Sequence, residues 1–171
     1  MTILVLGTGI IGTTYGWALA EAGHRVVHLV RPGKAARCAG GIPMDVLDLR
    51  KGHRRRFRGR YRLAVTEVVP PSDEFSLVIV PTKHYHLKDA LERLVPDVGH
   101  ADFLLLTQNW RGTAEIDPIL PHSRYVHGDA KAGGTYSDGT LVSALSSIDL
   151  GPPDGKRRRS RPDLATSLPF S

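Results

Sequence analysis

An apolar pentapeptide, Thr2-Ile3-Leu4-Val5-Leu6, runs without a spacer into Gly7-Thr8-Gly9-Ile10-Ile11-Gly12. That junction constrains the fold more than anything else in the chain. A strand must stop, turn sharply and start a helix within six residues, and glycine is needed at each of three places. Gly7 permits the tight turn, Gly9 lets the backbone approach a pyrophosphate, and Gly12 lets the helix lie close on the strand. A diphosphate then rests on the free N–H groups at the helix N-terminus, where the helix dipole favours negative charge. The pattern predicts a dinucleotide-binding βαβ unit over residues 1–31, with Gly7, Thr8, Gly9, Ile10, Ile11 and Gly12 as cofactor-binding residues.

The bare motif is short, and a plain strand-to-helix turn is the competing reading. The surrounding residues favour the nucleotide. Ile11, Tyr15, Ala18, Leu19 and Ala22 recur at helical spacing on one face, and Gly23 stands where a helix C-cap glycine belongs. A second strand follows over 24–30 and ends at Arg31. About 20 residues past the motif, an NAD-binding protein places an acid for the ribose 2′-hydroxyl, whereas arginine suits a 2′-phosphate. NADP(H) is therefore expected over NAD(H).

The 171 residues suit one domain with a real core, and 41% hydrophobic with 23% charged residues is a globular balance. No apolar run approaches the roughly 18 residues of a membrane span, and the N-terminus lacks the features of a signal peptide, so a cytoplasmic protein is expected. The one cysteine, Cys38, has no partner for a disulfide or a thiolate zinc site. A net charge of +6 raises the question of nucleic acid, but the distribution argues against it. In the basic block 50–62, an extended chain puts Arg56, Arg58, Arg60 and Arg62 on one face, with Phe57 and Tyr61 on the other. That alternation predicts an exposed strand packed on one side, with its charges available to a polyanionic cofactor.

Further on, Leu63-Ala64-Val65-Thr66 reads as a strand and 76–80 as a fully buried parallel strand ending at Pro81-Thr82-Lys83. A helix from about 85 to 94 buries Leu87, Ala90, Leu91 and Leu94, and an apolar strand over 102–107 leads into Gln108-Asn109-Trp110-Arg111-Gly112. The remaining expectations are a short helix over 113–120, a strand over 124–127, a glycine-containing loop over 128–134 and a last strand near 140–149. Strands alternating with helices predict an α/β protein, a Rossmann-type, doubly wound, mostly parallel sheet. Lys83 and Asn109 both fall just past the C-terminal ends of buried strands, where such sheets bind ligands. Lysine there meets a phosphate, carboxylate or carbonyl oxygen, and asparagine a ribose or carboxylate; satisfying local backbone groups is the plainer alternative. His84 and His86 lack supporting ligands at metal spacing, so no metal is expected. His24 and His28 read as surface or satisfied core histidines.

Taken in order, the glycine motif, Ala20-Glu21-Ala22-Gly23-His24, Arg31, Val80-Pro81-Thr82-Lys83 and Gln108-Asn109 resemble the N-terminal domain of ketopantoate reductase, also called 2-dehydropantoate 2-reductase. The resemblance covers about residues 1–151. It implies NADPH on Gly7 to Gly12 and Arg31, with Lys83 and Asn109 beside the nicotinamide and a 2-keto acid, Lys83 being catalytic. The implied reaction is hydride transfer giving the 2-hydroxy acid, in pantothenate biosynthesis. Two departures follow from the same comparison. The family continues Gln-Asn with glycine where this chain has Trp110 and Arg111, which alters the pocket near the nicotinamide.

The family also uses a helical C-terminal domain to close the cleft and to supply the lysine that protonates the product oxygen. Residues 1–150 therefore read as a single NADP-binding domain without that helical partner, and 151–171 as a basic, proline-rich tail expected to be disordered. An early end to the chain, by design or by a lost reading frame, is the economical account. Catalysis is expected to be incomplete in this chain alone, with Lys83 or Lys131 as substitutes that no spacing favours. The surface that the helical domain would cover should be apolar, so a homodimer or a completing polypeptide is expected there. A non-catalytic NADP(H)-binding or sensing module acting through a partner is the alternative.

Overall fold

The computed structural model describes residues 1–52, 54–69, 74–107 and 112–151. Strand β1, Thr2–Leu6, has Ile3, Leu4 and Val5 buried on both faces, because it lies in the middle of the sheet. It pairs in parallel with β2, Arg25–Leu29, on one side and β6, Leu77–Val80, on the other. Along β1 the side chains alternate, and that alternation builds two cores. Ile3 and Val5 pack with Tyr15, Ala18 and Leu19 of α1, Ile10–Glu21. Leu4 joins Val78 and Val80 against Leu87, Leu91 and Leu94 of α3, Leu87–Leu94. One helix therefore covers each face, as double winding requires. Each buried leucine of α3 contributes about 1.5–3 kcal/mol.

Among the described residues, nine strands form one sheet in the order β4-β3-β9-β8-β7-β6-β1-β2-β5. Beyond those above, β3 is Ile42–Asp48, β4 Arg55–Tyr61, β5 Ala64–Thr66, β7 Asp102–Leu105, β8 Tyr125–Ser137 and β9 Thr140–Gly151. Only β3/β4 and β8/β9 are antiparallel; the other pairings are parallel. A short helix, α2, Ala35–Cys38, follows β2, and a 3-10 turn at His84–His86 precedes α3. Gly23 takes φ +86° just past α1 and ends that helix as expected.

Several expectations are corrected. No strand was expected at 42–48, yet β3 alternates cleanly, with Ile42, Met44, Val46 and Asp48 buried. Pro43, Asp45 and Asp48 break its apolar run. Asp48 goes inside because Arg50, itself only 3% exposed, meets it through two bonds, Nε to Oδ1 at 2.9 Å and Nη2 to Oδ2 at 2.8 Å. The expected loop at 128–134 is the middle of one long strand, with an irregularity between Lys131 and Ala132. Two of its glycines serve packing: a Cβ on Gly128 would stand 2.7 Å from Leu106 Cδ2 and 3.0 Å from Ile148 Cγ2, and one on Gly134 would collide with the Val142 carbonyl.

The expected helix at 113–120 is a series of turns, held by bonds such as Ile116 N to Thr113 O at 2.8 Å. Pro118 has no N–H to donate and stops a regular helix there. Helix α1 is also buried all round from Gly12 to Leu19 instead of on one face. It meets β9, where Thr14 Oγ1 donates to Ser143 Oγ at 3.0 Å and Tyr15 donates to the Ser147 carbonyl at 2.6 Å. It also meets β4, with Trp17 and Phe57 ring centroids 5.0 Å apart. Ala22 lies exposed beyond its end.

The basic strand β4 alternates as expected, with Phe57 and Tyr61 inward and Arg56, Arg58 and Arg60 exposed. Its charges are used locally. Arg56 and Arg58 share Asp45, Arg55 meets Glu21, and Arg60 donates to the carbonyls of Gly40 and Gly41. Among the described residues, no helix is long and apolar enough to cross a membrane, and no group of three or more His, Cys, Asp or Glu could hold a metal.

Candidate functional site

The glycine turn sits at the C-terminal end of β1. Gly7 has φ +81°, a left-handed conformation that glycine adopts without strain, and its N–H donates to the Leu29 carbonyl at 2.7 Å. Gly9 is extended and starts α1, with no side chain capping the helix and no acid in its first turn. Nothing lies within 4 Å of a Cβ built on Gly9, so the approach to those amides is open. Gly12 has the opposite reason for being glycine. A Cβ there would stand 3.0 Å from Pro81 Cγ and 3.2 Å from Val5 Cγ1, so it lets α1 press on β1 and on the end of β6.

Beneath the turn lies His28, fully buried on β2. Its Nδ1–H donates to the Gly7 carbonyl at 2.9 Å, which leaves Nε2 to accept from the Tyr61 hydroxyl at 3.3 Å. Burial pushes the imidazole pKa down, keeping the ring neutral. Gly16 makes the space, since a Cβ there would lie 2.6 Å from His28 Nε2. His28 is thus a satisfied core histidine. From above, Tyr136 of β8 donates its hydroxyl to the Thr8 carbonyl at 3.1 Å.

A cleft of about 650 Å³ opens beside the turn, lined by Gly7, Arg31, Glu67, Thr82, His86 and Arg93 among others. Arg31 stands exposed just past β2. Neither Arg31 nor Arg93 has an ion-pair partner among the described residues. The Thr82 hydroxyl oxygen is buried and likewise without a hydrogen-bond partner among them. Gly7, two unpaired guanidiniums and an orphaned hydroxyl line one cleft, and the chain runs from Gly7 straight into the open start of α1; this set fits a polyanionic ligand with sugar oxygens.

Gly7 and Arg31 both line the cleft at this sheet edge, while Thr8, Gly9, Ile10, Ile11 and Gly12 continue from Gly7 into the first turn of α1 and do not line it. Lys83 follows β6 at the same edge, exposed, with Nζ 5.9 Å from the Tyr85 ring centre, and does not line the cleft. Asn109 and its neighbours Trp110 and Arg111 lie outside the described residues. Sequence reasoning missed Glu67, Thr82 and Tyr136, which meet the turn and cleft only through strand register. Thr82 alone had a visible signal, its place at the end of a buried strand.

Together the sheet order and the strand–turn–helix opening define a Rossmann-type α/β domain. The chain belongs to the family described as ketopantoate reductase PanE/ApbA, whose model matches residues 3–145. It is similar to a 2-dehydropantoate 2-reductase of Aquifex aeolicus (strain VF5), 29% identical over an alignment of 120 residues, covering 67% of this chain and 34% of that protein. The fold resembles that of 2-dehydropantoate 2-reductase from Geobacter metallireducens GS-15, with a TM-score of 0.73 and 19% identity, covering 97% of this chain and 54% of that one. A D-mandelate dehydrogenase solved with NADH and anilino(oxo)acetate has a TM-score of 0.69 at 17% identity, covering 98% of this chain and 53% of that one. The chain therefore spans about a third of the curated relative and half of these structures.

Proposed function

We propose that this chain is the NADP(H)-binding part of an oxidoreductase that reduces a 2-keto acid to a 2-hydroxy acid. The observation that carries the reading is the uncapped glycine turn opening onto a cleft with an unpaired Arg31. When bound, the nicotinamide supplies the hydride. The chain's own groups bind and orient. The first-turn amides of α1 take the diphosphate, with the helix dipole adding attraction. Arg31 takes the 2′-phosphate, and Thr82 gives its hydroxyl to a nucleotide oxygen. Lys83 and Asn109 are assigned to the nicotinamide and keto-acid side, with Lys83 as the catalytic cation.

Residues 1–150 form the binding domain in this proposal; the basic tail expected over 151–171 lies, beyond Gly151, outside the described residues. The proton for the product oxygen is assigned to a group outside the binding domain, carried by further chain, a second copy or a completing polypeptide. A second reading, a non-catalytic NADP(H)-sensing module, is favoured by the position of Lys83 outside the cleft lining.

Calorimetric titration of the full chain with NADPH and NADH tests the cofactor. Tighter NADPH binding is expected, and Arg31→Ala should weaken NADPH by roughly 10–100-fold while sparing NADH, as loss of a charge-assisted bond implies. Equal affinity for both nucleotides would contradict the 2′-phosphate assignment. Adding 2-keto acids and following nicotinamide absorbance then separates the two readings, since turnover eliminates the sensing module.

A further inference from the structure

Arg31 does not stand alone at the end of β2; it begins a tight turn. Arg31-Pro32-Gly33-Lys34 closes through Lys34 N to Arg31 O at 3.0 Å, with Gly33 at φ +76°. Proline second and a positive-φ glycine third are what a type II turn requires. The near side of this turn is fixed by the sheet: β5 pairs with β2 so that Leu29 faces Thr66, and Val30 N donates to Thr66 O at 2.9 Å. That register delivers the next residue, Glu67, beside the turn and into the cleft lining with Arg31. The far side of the turn ends on Glu67, where Ala35 N–H donates to Oε1 at 2.8 Å.

That Ala35 amide, with the backbone amides of Gly33 and Lys34 nearby, holds the carboxyl below the usual range. A carboxylate beside an arginine would ordinarily pair with it. Here no Arg31–Glu67 ion pair is present among the described residues, and the charge of Glu67 faces backbone amides.

We propose that Glu67 is the specificity-determining positioning residue of this site: it anchors the Arg31–Lys34 turn from the far side, aims the Arg31 guanidinium at the 2′-phosphate and leaves it unpaired. The inference rests on the NADP(H) reading above. It deepens that reading by making cofactor choice a property of two strands, β2 and β5.

Calorimetric affinities of the full chain for NADPH and NADH, measured on Glu67→Ala, Glu67→Gln, Arg31→Ala and the Arg31→Ala/Glu67→Ala pair, test it. Glu67→Ala should weaken NADPH roughly tenfold and leave NADH unchanged, the scale of losing hydrogen bonds to a charged group. Glu67→Gln, which keeps an acceptor oxygen, should lose less and guards against a misfolded alanine variant. The double variant should bind NADPH no worse than Arg31→Ala alone, because Glu67 acts through Arg31. A merely structural role would weaken both nucleotides alike, and a merely repulsive carboxylate would make Glu67→Ala bind NADPH more tightly. Either result overturns the proposal, as does an unchanged NADPH to NADH ratio, while the Arg31 result keeps the cofactor reading intact. Wild-type protein that binds neither nucleotide would overturn both.

Discussion

The two halves of the sheet treat their polar groups in opposite ways. In the hairpin half, β3, β4, β8 and β9, charges are used up internally: Asp48 with Arg50, Asp45 with Arg56 and Arg58, and Lys131 with Asp129 and Asp149. In the parallel half, groups at the strand ends are left open, namely the uncapped start of α1, Arg31 and the Thr82 hydroxyl. Strand direction accounts for this. Parallel strands all end at one edge, so their following turns gather there, whereas a hairpin sends alternate ends to opposite edges and bonds its own backbone. Charge density alone is therefore a poor guide to function in this chain, because each arginine of the basic strand β4 already meets a carboxylate or a backbone carbonyl.

If that division holds, the largest effect on stability should come from the hairpin half with no effect on nucleotide binding. Arg50→Ala removes the guanidinium from a carboxylate with no exposure and should cost about 3–5 kcal/mol in denaturant unfolding. NADPH affinity under native conditions should not change; a parallel loss would break the comparison. A smaller effect should be seen at His28, where the halves meet through Tyr61. Folding lowers its pKa, so between that lowered value and about 6.5 the unfolded chain holds the extra proton. Stability should therefore fall as pH drops below about 6.5, and the slope should diminish in His28→Gln. It should not vanish, since burial also lowers the pKa of His127. The smallest effect belongs to Arg56→Ala on the exposed face, where a screened surface pair is lost and Arg58 still meets Asp45. Its unfolding midpoint should stay near that of wild type.

The parallel half was legible because its signals are local. The unbroken run 76–80, the leucine stripe of α3 and the glycines at 7, 9 and 12 each report on their own neighbourhood. The hairpin half was less so. Pro43 and Asp45 disguise β3, and Gly128, Gly133 and Gly134 look like a loop although Gly128 is there for close packing on β7 and β9. Arg31 could be read from its distance to the motif. The placement of Glu67 beside it could not, because it depends on β5 lying in register with β2, and Tyr136 reaches Thr8 across a sequence separation of 128 residues.

That long reach bears on how the molecule is made. Thr14 and Tyr15 of α1 find their partners 129 and 132 residues later. On the ribosome, α1 emerges early and waits for nearly the whole domain to be synthesised before these bonds can form. Contacts so distant in sequence form slowly and leave apolar surface exposed meanwhile. A nascent chain stalled before β9 would present Tyr15 and its neighbours uncovered, as a target for chaperones or for aggregation.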